Sequence, residues 1–245
     1  MEKKFATVNV LGIDFSKVTA DELLTELKQA SLAHQDRFIV TANPEIVLAA
    51  KNDPAYKKAL KTADHITADG IGIIKGAKIL GDPLPERVTG YDTMLSLLEF
   101  ANETKKRVFF LGAKPEALTK VLAKVKKDYP DLVIAGSCDG YFKDETKVAQ
   151  ALKKARPELV FVALGFPKQE FFIVNNRTCA DALWMGVGGS FDVLSGLTKR
   201  APKWWIEHHL EWAYRLLKEP TRAKRMLALP KYLLLVYREK LLAKK

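Results

Sequence analysis

Cysteine is scarce in this sequence, and long apolar runs are missing. Cys138 and Cys179 are the only cysteines among 245 residues, too few for a disulfide framework and typical of a reducing compartment. No apolar stretch approaches the roughly 20 residues that a membrane span requires. The N-terminal segment is charged and interrupted by polar residues, unlike a secretory signal. We therefore expect a cytoplasmic protein.

The usual signatures of cofactor and metal binding are also absent. The sequence contains neither a G-x-G-x-x-G fingerprint nor a Walker A lysine motif, which disfavours an enzyme that uses a nicotinamide cofactor. Its four histidines are unclustered, and no Asp-x-Asp pair occurs. A nucleotide-sugar transferase without such a pair must stabilise a departing diphosphate with arginine, lysine, backbone amides or helix N-termini instead of Mg²⁺ or Mn²⁺. We expect no metal and no cofactor.

Positive charge is concentrated at the end of the chain. Residues 199–245 hold thirteen Lys and Arg against four Asp and Glu, which gives +9 of the net charge of +11. We therefore predict a nearly neutral core, residues 1–198, and a basic tail, residues 199–245. This asymmetry indicates an anionic partner for the tail, either nucleic acid, a phosphate-bearing substrate or acidic lipid.

Strand and helix patterns alternate through the predicted core. The apolar run Leu159–Leu164 is too short for a typical helix and is rich in β-branched and aromatic residues, as in a strand buried on both faces. Strand–helix units at regular spacing predict an α/β fold with a doubly wound, mostly parallel sheet of the Rossmann type. The predicted strands are Arg37–Thr41, His65–Asp69, Val108–Leu111, Leu132–Ala135, Leu159–Leu164 and Ala182–Gly186, after a strand or hairpin in Asn9–Phe15.

The tail differs in kind from the core. Its first half, Pro202–Leu217, predicts one amphipathic helix, and the segment after Pro230 is apolar in its middle and basic at its end. Basic helices that carry tryptophan, tyrosine and leucine suit a membrane interface with anionic head groups. The same pattern also fits a helical pair that packs on the sheet. The residues expected on one face of the first helix are Trp205, His209, Trp212 and Leu216.

Polar residues follow three of the predicted strands. The carboxyl ends of parallel strands meet at one edge of a sheet, where ligands bind in open α/β folds. Among these residues Asp69 is the best candidate for a general base, because partial burial beside Gly70 would raise its pKa. The alternative is that Asp69 caps the next helix. The polar residues in question are Thr41, Asn43, Asp69, Lys168, Gln169 and Glu170.

Two further segments suit an anionic ligand. Arg87 follows a rigid proline-containing loop and is either a phosphate clamp or half of a structural ion pair. The glycine-rich stretch Gly186–Ser190 allows a close approach of the backbone to a ligand.

Several blocks of sequence together resemble the WecG/TagA/CpsF glycosyltransferases. No single block is diagnostic, but they span about the whole chain and occur in the order of that family. The blocks are T-x-N-P-E-I-V at Thr41–Val47, A-D-G-I-G at Ala68–Gly72, P-E-R-V-T-G-Y-D at Pro85–Asp92, V-A-L-G-F-P-K-Q-E at Val162–Glu170, G-V-G-G-S-F-D-V at Gly186–Val193, K-R-A-P at Lys199–Pro202 and E-W-x-x-R-L-x-x-E-P-x-R at Glu211–Arg222.

The resemblance implies an inverting, metal-independent transferase that acts on an undecaprenyl-diphosphate-linked sugar at the inner face of the plasma membrane. One branch of the family transfers N-acetylmannosamine from UDP to the 4-hydroxyl of lipid-linked N-acetylglucosamine, which forms the linkage unit of wall teichoic acid. We expect that reaction. Sister activities with another UDP-sugar, an N-acetylmannosamine uronic acid or glucose, stay open.

The resemblance also implies roles for individual residues. Asp69 corresponds to the general base, Gln169 to a donor-sugar contact and Arg87 to a residue near the donor diphosphate. Thr41 and Asn43 correspond to the acceptor side. The nucleotide side has weaker matches, and arginines of the tail correspond to residues that close over the diphosphate. The predicted catalytic residues are Asp69, Thr41 and Gln169, and the predicted substrate-binding residues are Asn43, Arg87, Tyr141, Lys168, Gly188, Asp192, Arg215, Arg222 and Arg225.

We further expect the tail to dock on anionic lipid of the inner leaflet and thereby to complete the site. A nucleic-acid-binding protein is the alternative from another class, and it is disfavoured because it leaves the polar strand ends unexplained. We therefore expect no nucleic acid partner. A core whose tail-docking surface is exposed is expected to form a homo-oligomer.

Overall fold

The computed structural model describes residues 5–208, 210–218 and 227–243, with the side chain of residue 215 left out. Its elements follow in the order β1 (Thr7–Val10), β2 (Ile13–Ser16), α1 (Ala20–Leu32), β3 (Arg37–Ala42), α2 (Pro44–Asn52), α3 (Pro54–Leu60), β4 (His65–Ala68), α4 (Ile71–Leu80), α5 (Gly90–Glu103), β5 (Arg107–Gly112), α6 (Pro115–Asp128), β6 (Val133–Cys138), α7 (Glu145–Ala155), β7 (Leu159–Ala163), α8 (Lys168–Asn176), β8 (Leu183–Gly186), α9 (Ser190–Leu194), α10 (Lys203–Glu207), α11 (Glu211–Lys218) and α12 (Ala228–Leu242).

Six of the strands form one parallel sheet in the order β4-β3-β8-β7-β5-β6. All six predicted strands are present, and the predicted doubly wound α/β fold is confirmed. The first two strands form a separate antiparallel hairpin, in agreement with the pattern of Asn9–Phe15. Because the six strands run in the same direction, their carboxyl ends form one edge of the sheet and their amino ends form the other.

Alternate residues of the central strands enter cores on opposite faces of the sheet. In β7, Val160 and Val162 pack on one face, whereas Leu159 and Phe161 pack on the other. This burial on both faces explains why the run is apolar throughout. One face is covered by α2, α3, α4, α7, α8 and α12, and the other is covered by α1, α5, α6 and α9.

Local capping sets the starts of several helices. Thr19 and Glu22 form a capping box at α1, in which each side chain bonds the backbone N–H of the other residue. At α2 the side chain of Asn43 accepts a hydrogen bond from the Ile46 N–H, and Pro44 occupies the first helical position. These caps fix where the chain turns at the edges of the sheet.

The prediction of one continuous helix over Pro202–Leu217 is wrong. The chain instead forms α10 and α11, and the Leu210 N–H donates to the Trp205 carbonyl, five residues back, at 2.7 Å. The His208 N–H still donates to the Trp204 carbonyl, four residues back, at 3.1 Å, so the helical pattern is lost between His208 and Leu210. His209, which was expected on the shared face, lies outside the described residues.

The last helix of the tail, α12, packs on α4 and α2. Tyr232 and Val236 are fully buried and belong to the same apolar core as the sheet residue Trp184. A Cβ at Gly76 would lie 2.1 Å from the Tyr232 hydroxyl oxygen, so only glycine allows this approach of the two helices. α12 therefore packs on helices that cover the sheet, whereas the helical pair on the sheet itself stays a prediction. The predicted domain boundary at residue 198 stays a prediction.

None of the helices in the described part of the chain combines the length and the apolar character that crossing a membrane demands.

Candidate active site

A cavity of about 390 Å³ opens at the carboxyl edge of the sheet. It is bordered by the residues that follow β3, β4, β7 and β8, by the loop before α5, and by α11 and α12 of the tail. Seven of the predicted site residues line it together: Thr41, Asn43, Asp69, Arg87, Gln169, Gly188 and Asp192.

Asp69 lies between the end of β4 and the start of α4. Its N–H donates to the Ala42 carbonyl at 3.0 Å, which continues the pairing of β4 with β3, and its side chain is half-buried. Gly70, not Asp69, occupies the N-cap position of α4, and no side chain caps this helix. The first amides of α4 therefore border the same cavity as the Asp69 carboxylate, and such amides attract anions.

Thr41 and Asn43 reach the cavity from the end of β3. The side-chain oxygen of Asn43 serves as the cap of α2, which fixes the orientation of its amide. Thr41 packs against Gly90 at the start of α5, where a Cβ would lie 2.6 Å from the Thr41 hydroxyl oxygen. Both side chains are therefore held in place by backbone features that the strand pattern alone does not reveal.

Arg87 is brought beside Asp69 by its loop. The neighbouring Val88 N–H donates to the carbonyl of Ala68, the last residue of β4, at 3.0 Å. The Arg87 guanidinium is largely buried and lies 3.6 Å from the carboxylate of Glu211 on α11. A tail helix thus supplies the counter-charge of a cavity arginine.

A second cavity arginine was not among the predicted site residues. Arg200 makes an ion pair with Asp92 at 2.6 Å, and its guanidinium lies 4.8 Å from the centre of the Tyr91 ring. The cavity is also lined by Glu211 and Trp212 of α11. The K-R-A-P and E-W blocks of the sequence contain these residues, but neither block follows a strand of the sheet.

Gln169 is almost fully buried in the first turn of α8. Its side chain lies over Gly186, where a Cβ would come within 2.7 Å of the Gln169 amide nitrogen. The Gly188 N–H donates to Gln169 Oε1 at 3.0 Å, and Gln169 Nε2 donates to Glu170 Oε1 at 2.8 Å. Burial raises the pKa of Glu170, although the hydrogen bond from Gln169 opposes this shift. One backbone amide of the glycine-rich stretch, that of Gly188, is therefore already hydrogen-bonded to a protein side chain.

Two predicted site residues, Lys168 and Tyr141, are not among the residues that line the cavity. Lys168 is exposed at the start of α8, and Tyr141 is 65% exposed in the turn after β6, which three strands separate from β3. The side chain of Arg215, on α11, is not described, and Arg222 and Arg225 lie outside the described residues. Their predicted roles in substrate binding stay predictions.

Within residues 5–208, 210–218 and 227–243, no three His, Cys, Asp or Glu side chains are grouped so that they could hold a metal ion. The positive groups at the cavity are instead the guanidinium groups of Arg87 and Arg200 and the N-terminus of α4.

Comparison with known proteins agrees with this arrangement. Residues 8–245 match the model of the Glycosyl transferase WecG/TagA/CpsF family. Three relatives bear the name N-acetylglucosaminyldiphosphoundecaprenol N-acetyl-beta-D-mannosaminyltransferase. A Bacillus spizizenii protein is 46% identical over 90% of this chain and 86% of its own length. A Bacillus subtilis protein is 47% identical over 82% and 79%. A Staphylococcus aureus protein is 35% identical over 98% and 96%.

The family match covers nearly the whole chain, and the cavity gathers residues from all seven of the sequence blocks that resemble the family. This chain belongs to the WecG/TagA/CpsF family of glycosyltransferases.

Proposed function

We propose that this protein transfers N-acetylmannosamine from a UDP donor to the 4-hydroxyl of N-acetylglucosamine linked to undecaprenyl diphosphate. The names of the relatives support this acceptor and this sugar. The observation that carries the chemistry is the cavity itself, where a carboxylate, an arginine and an uncapped helix N-terminus face one space: Asp69, Arg87 and the first turn of α4.

Asp69 acts as the general base in this proposal. It removes the proton from the acceptor hydroxyl as the hydroxyl oxygen bonds to the anomeric carbon of the donor sugar. The bond from that carbon to the UDP oxygen breaks on the opposite face, so the anomeric configuration inverts. A positioned base contributes roughly 10²–10⁴ in rate.

The departing UDP carries the electron pair of the broken bond, so negative charge develops on its phosphate oxygen. Arg87, Arg200 and the amides at the start of α4 stabilise that charge without a metal ion. Both arginines already face a carboxylate, Glu211 and Asp92 respectively, which keeps their side chains extended at the cavity. A bound diphosphate takes the place of these carboxylates as the partner of the guanidinium groups.

The acceptor lipid requires that the protein meet a membrane surface, and α12 offers a face for it. The outward side of this helix carries exposed leucines at every seventh residue, with basic residues between them. A stripe of leucine and basic residues suits a membrane interface with anionic lipid. We infer peripheral docking on the inner leaflet through the residues Leu227, Lys231, Leu234, Arg238 and Leu241.

The same helix bears on the oligomeric state. Removal of residues 199–245 would uncover the groove at Gly76 that Tyr232 fills. An uncovered apolar groove supports self-association of a core that lacks its tail.

The test is UDP release by the purified full-length chain, with UDP-N-acetylmannosamine and a short-chain lipid-diphosphate N-acetylglucosamine acceptor, in the presence of EDTA. We expect turnover, and we expect NMR of the disaccharide to show an inverted anomeric centre. Turnover that is lost in EDTA and restored by Mg²⁺ would contradict the metal-free mechanism. Turnover with UDP-glucose or a UDP-uronic acid alone would contradict the proposed donor.

A further inference from the structure

Glu170 is a buried carboxyl group that the proposed transfer does not yet use. It is 0% exposed in the first turn of α8, directly after the cavity residue Gln169. Its Oε1 accepts a hydrogen bond from Gln169, and its Oε2 has no partner of standard hydrogen-bond geometry among the described residues, although the buried Tyr56 hydroxyl of α3 is close enough to act as a weak donor. A buried carboxyl group with a single firm hydrogen bond is costly to retain, which points to a task beyond packing.

The hydrogen-bond partners of Gln169 determine which side of its amide group is the oxygen and which is the nitrogen. The backbone N–H of Gly188 can only donate, so the Gln169 atom that faces it must be the oxygen. The nitrogen consequently faces Glu170, which accepts one of its two hydrogens. Reversal of the amide would place N–H against N–H at Gly188 and oxygen against oxygen at Glu170.

Gln169 also lines the cavity, although only 5% of it is exposed. An amide nitrogen carries two hydrogens, so Gln169 retains a second donor after its bond to Glu170. Gly186, which has no Cβ, leaves the space that the Gln169 side chain occupies. Backbone and carboxyl contacts therefore hold the amide from two sides in one orientation.

Glu170 can hold the amide in either of its protonation states. Burial raises the pKa of Glu170, and the titratable group beside it is Tyr56 of α3, whose own pKa is raised by burial and by the Glu170 charge. An ionised carboxylate and the carbonyl oxygen of a neutral carboxyl group both accept the Gln169 hydrogen bond. A glutamine at this position would accept it as well.

We propose that Glu170 is a positioning residue, which acts through Gln169 and rests on the proposed function. It fixes the Gln169 amide so that the second hydrogen on Nε2 is donated to an oxygen of the bound sugar diphosphate. Without an acceptor at position 170, only the Gly188 N–H still opposes reversal of the amide, so the amide more often presents its oxygen to the oxygen atoms of the ligand.

The test compares Glu170→Gln, which keeps an acceptor of the same shape, with Glu170→Met, which has similar length and no oxygen. We expect Glu170→Met to lower kcat/KM about tenfold, the effect of one lost hydrogen bond, and Glu170→Gln to stay within about twofold of wild type. Thermal unfolding of each variant establishes that the folded fractions are equal at the assay temperature.

A double-mutant cycle separates positioning from packing. In the Gln169→Ala background, Glu170→Met should cost less than about twofold, because the amide that it orients is gone. An equal loss in both backgrounds would show that Glu170 matters only for packing. Wild-type turnover by Gln169→Ala would overturn the proposal too, since it would show that the amide makes no contact of consequence.

An NMR measurement tests the hydrogen bond between the Gln169 amide and Glu170 independently of turnover. In protein labelled with ¹⁵N at glutamine side chains, the signals that disappear in Gln169→Ala identify the Gln169 amide. We expect its hydrogens to exchange slowly with water in wild type and Glu170→Gln, and about tenfold faster in Glu170→Met. Unchanged exchange in Glu170→Met overturns the positioning role. If wild type releases no UDP from any donor, the proposed function fails while this measurement still stands.

Discussion

The two edges of the parallel sheet use charged residues in opposite ways. At the amino edge, where the strands begin, charged side chains bond one another at short distances. At the carboxyl edge, where the strands end, they surround the cavity of about 390 Å³. The charged residues at the amino edge therefore contribute to stability, whereas those at the carboxyl edge line the candidate active site.

Two ion clusters occupy the amino edge. Glu26 of α1 lies 2.8 Å from Arg37 and 3.0 Å from His65, the first residues of β3 and β4. In the second cluster, Arg177 bonds Asp64 at 2.9 Å and also pairs with Asp36. Each cluster ties a helix or its end to the starts of neighbouring strands.

At the carboxyl edge the engagement is uneven. Arg200 lies 2.6 Å from Asp92, but the ion pair of Arg87 with Glu211 is 3.6 Å long, and among the described residues no side chain caps the N-terminus of α4. Arg87 and the first turn of α4 are positioned but only loosely engaged with other protein groups, so they are available for a ligand. This difference predicts that substitutions at the two edges change different quantities.

The largest effect is expected for two aspartates at opposite ends of β4. Asp69→Asn at the carboxyl edge should lower UDP release by roughly 10²–10⁴, because the proposed base is lost, with little change in thermal stability. Asp64→Asn at the amino edge should lower thermal stability and leave UDP release per folded molecule nearly unchanged. Its carboxylate accepts from the Phe38 N–H at 2.7 Å and from Arg177, so its loss should cost about 1–3 kcal/mol of unfolding free energy.

The measurement is the initial rate of UDP release per folded molecule, together with urea unfolding of each variant. The comparison breaks if Asp64→Asn loses as much activity as Asp69→Asn at equal folded fraction. It also breaks if Asp69→Asn retains full activity, which would leave the family assignment intact and remove the proposed base.

The fold was largely predictable from sequence because its signals are local. A strand buried on both faces must be apolar throughout, and β7 shows this directly. Likewise α4 ends at Leu80 because the next residue, Gly81, adopts the left-handed conformation, a local signal that glycine carries in the sequence. The break between α10 and α11 was missed because the apolar residues of Pro202–Leu217 keep helical spacing across it, although the Leu210 N–H bonds the carbonyl five residues back.

The candidate site was predictable only where residues directly follow strands. Asp69, Asn43 and Gln169 were found because the ends of parallel strands share an edge. Arg200 and Trp212 were missed as members of the site because their approach depends on how the tail folds back over the core. Long-range docking of this kind leaves no periodic pattern in the sequence.

A second, smaller effect is expected for exposed leucines in two parts of the molecule. Leu234 on α12 is 71% exposed between the basic residues Lys231 and Arg238. The double variant Leu234→Glu/Leu241→Glu should weaken binding to vesicles that contain anionic lipid by roughly 10–100-fold, because apolar burial in the interface is lost and negative charge is added.

The matched control is Leu32→Glu, at the end of α1 and also exposed. It should leave binding in a vesicle sedimentation assay unchanged. Equal binding by the α12 double variant and wild type would show that this face does not meet the membrane, and equal loss in the control would show a non-specific effect of charge.

The smallest effect is a contrast in pH dependence between two buried glutamates. At the amino edge, burial acts to raise the pKa of Glu26, but hydrogen bonds from His65 and Arg37 outweigh burial and hold the pKa below its ordinary value of 4.5. A carboxyl group whose pKa is lower in the folded than in the unfolded state stabilises the protein above the unfolded value. That stabilisation is lost as the pH falls through the folded pKa.

Glu170 at the carboxyl edge has the opposite sign, because burial raises its pKa above 4.5. Its protonated form favours the folded state, and this contribution is lost as the pH rises from 4.5 through the folded pKa. Glu26→Gln should therefore fall further below wild type in Tm as the pH rises from 3 to 6. The Tm of Glu170→Gln should instead rise relative to the wild-type Tm over the same pH range. We expect each of these two changes in relative Tm to be about 2–4 °C. Parallel Tm profiles for the two variants would contradict the contrast, because burial outweighs hydrogen bonding at Glu170 whereas the hydrogen bonds from His65 and Arg37 outweigh burial at Glu26.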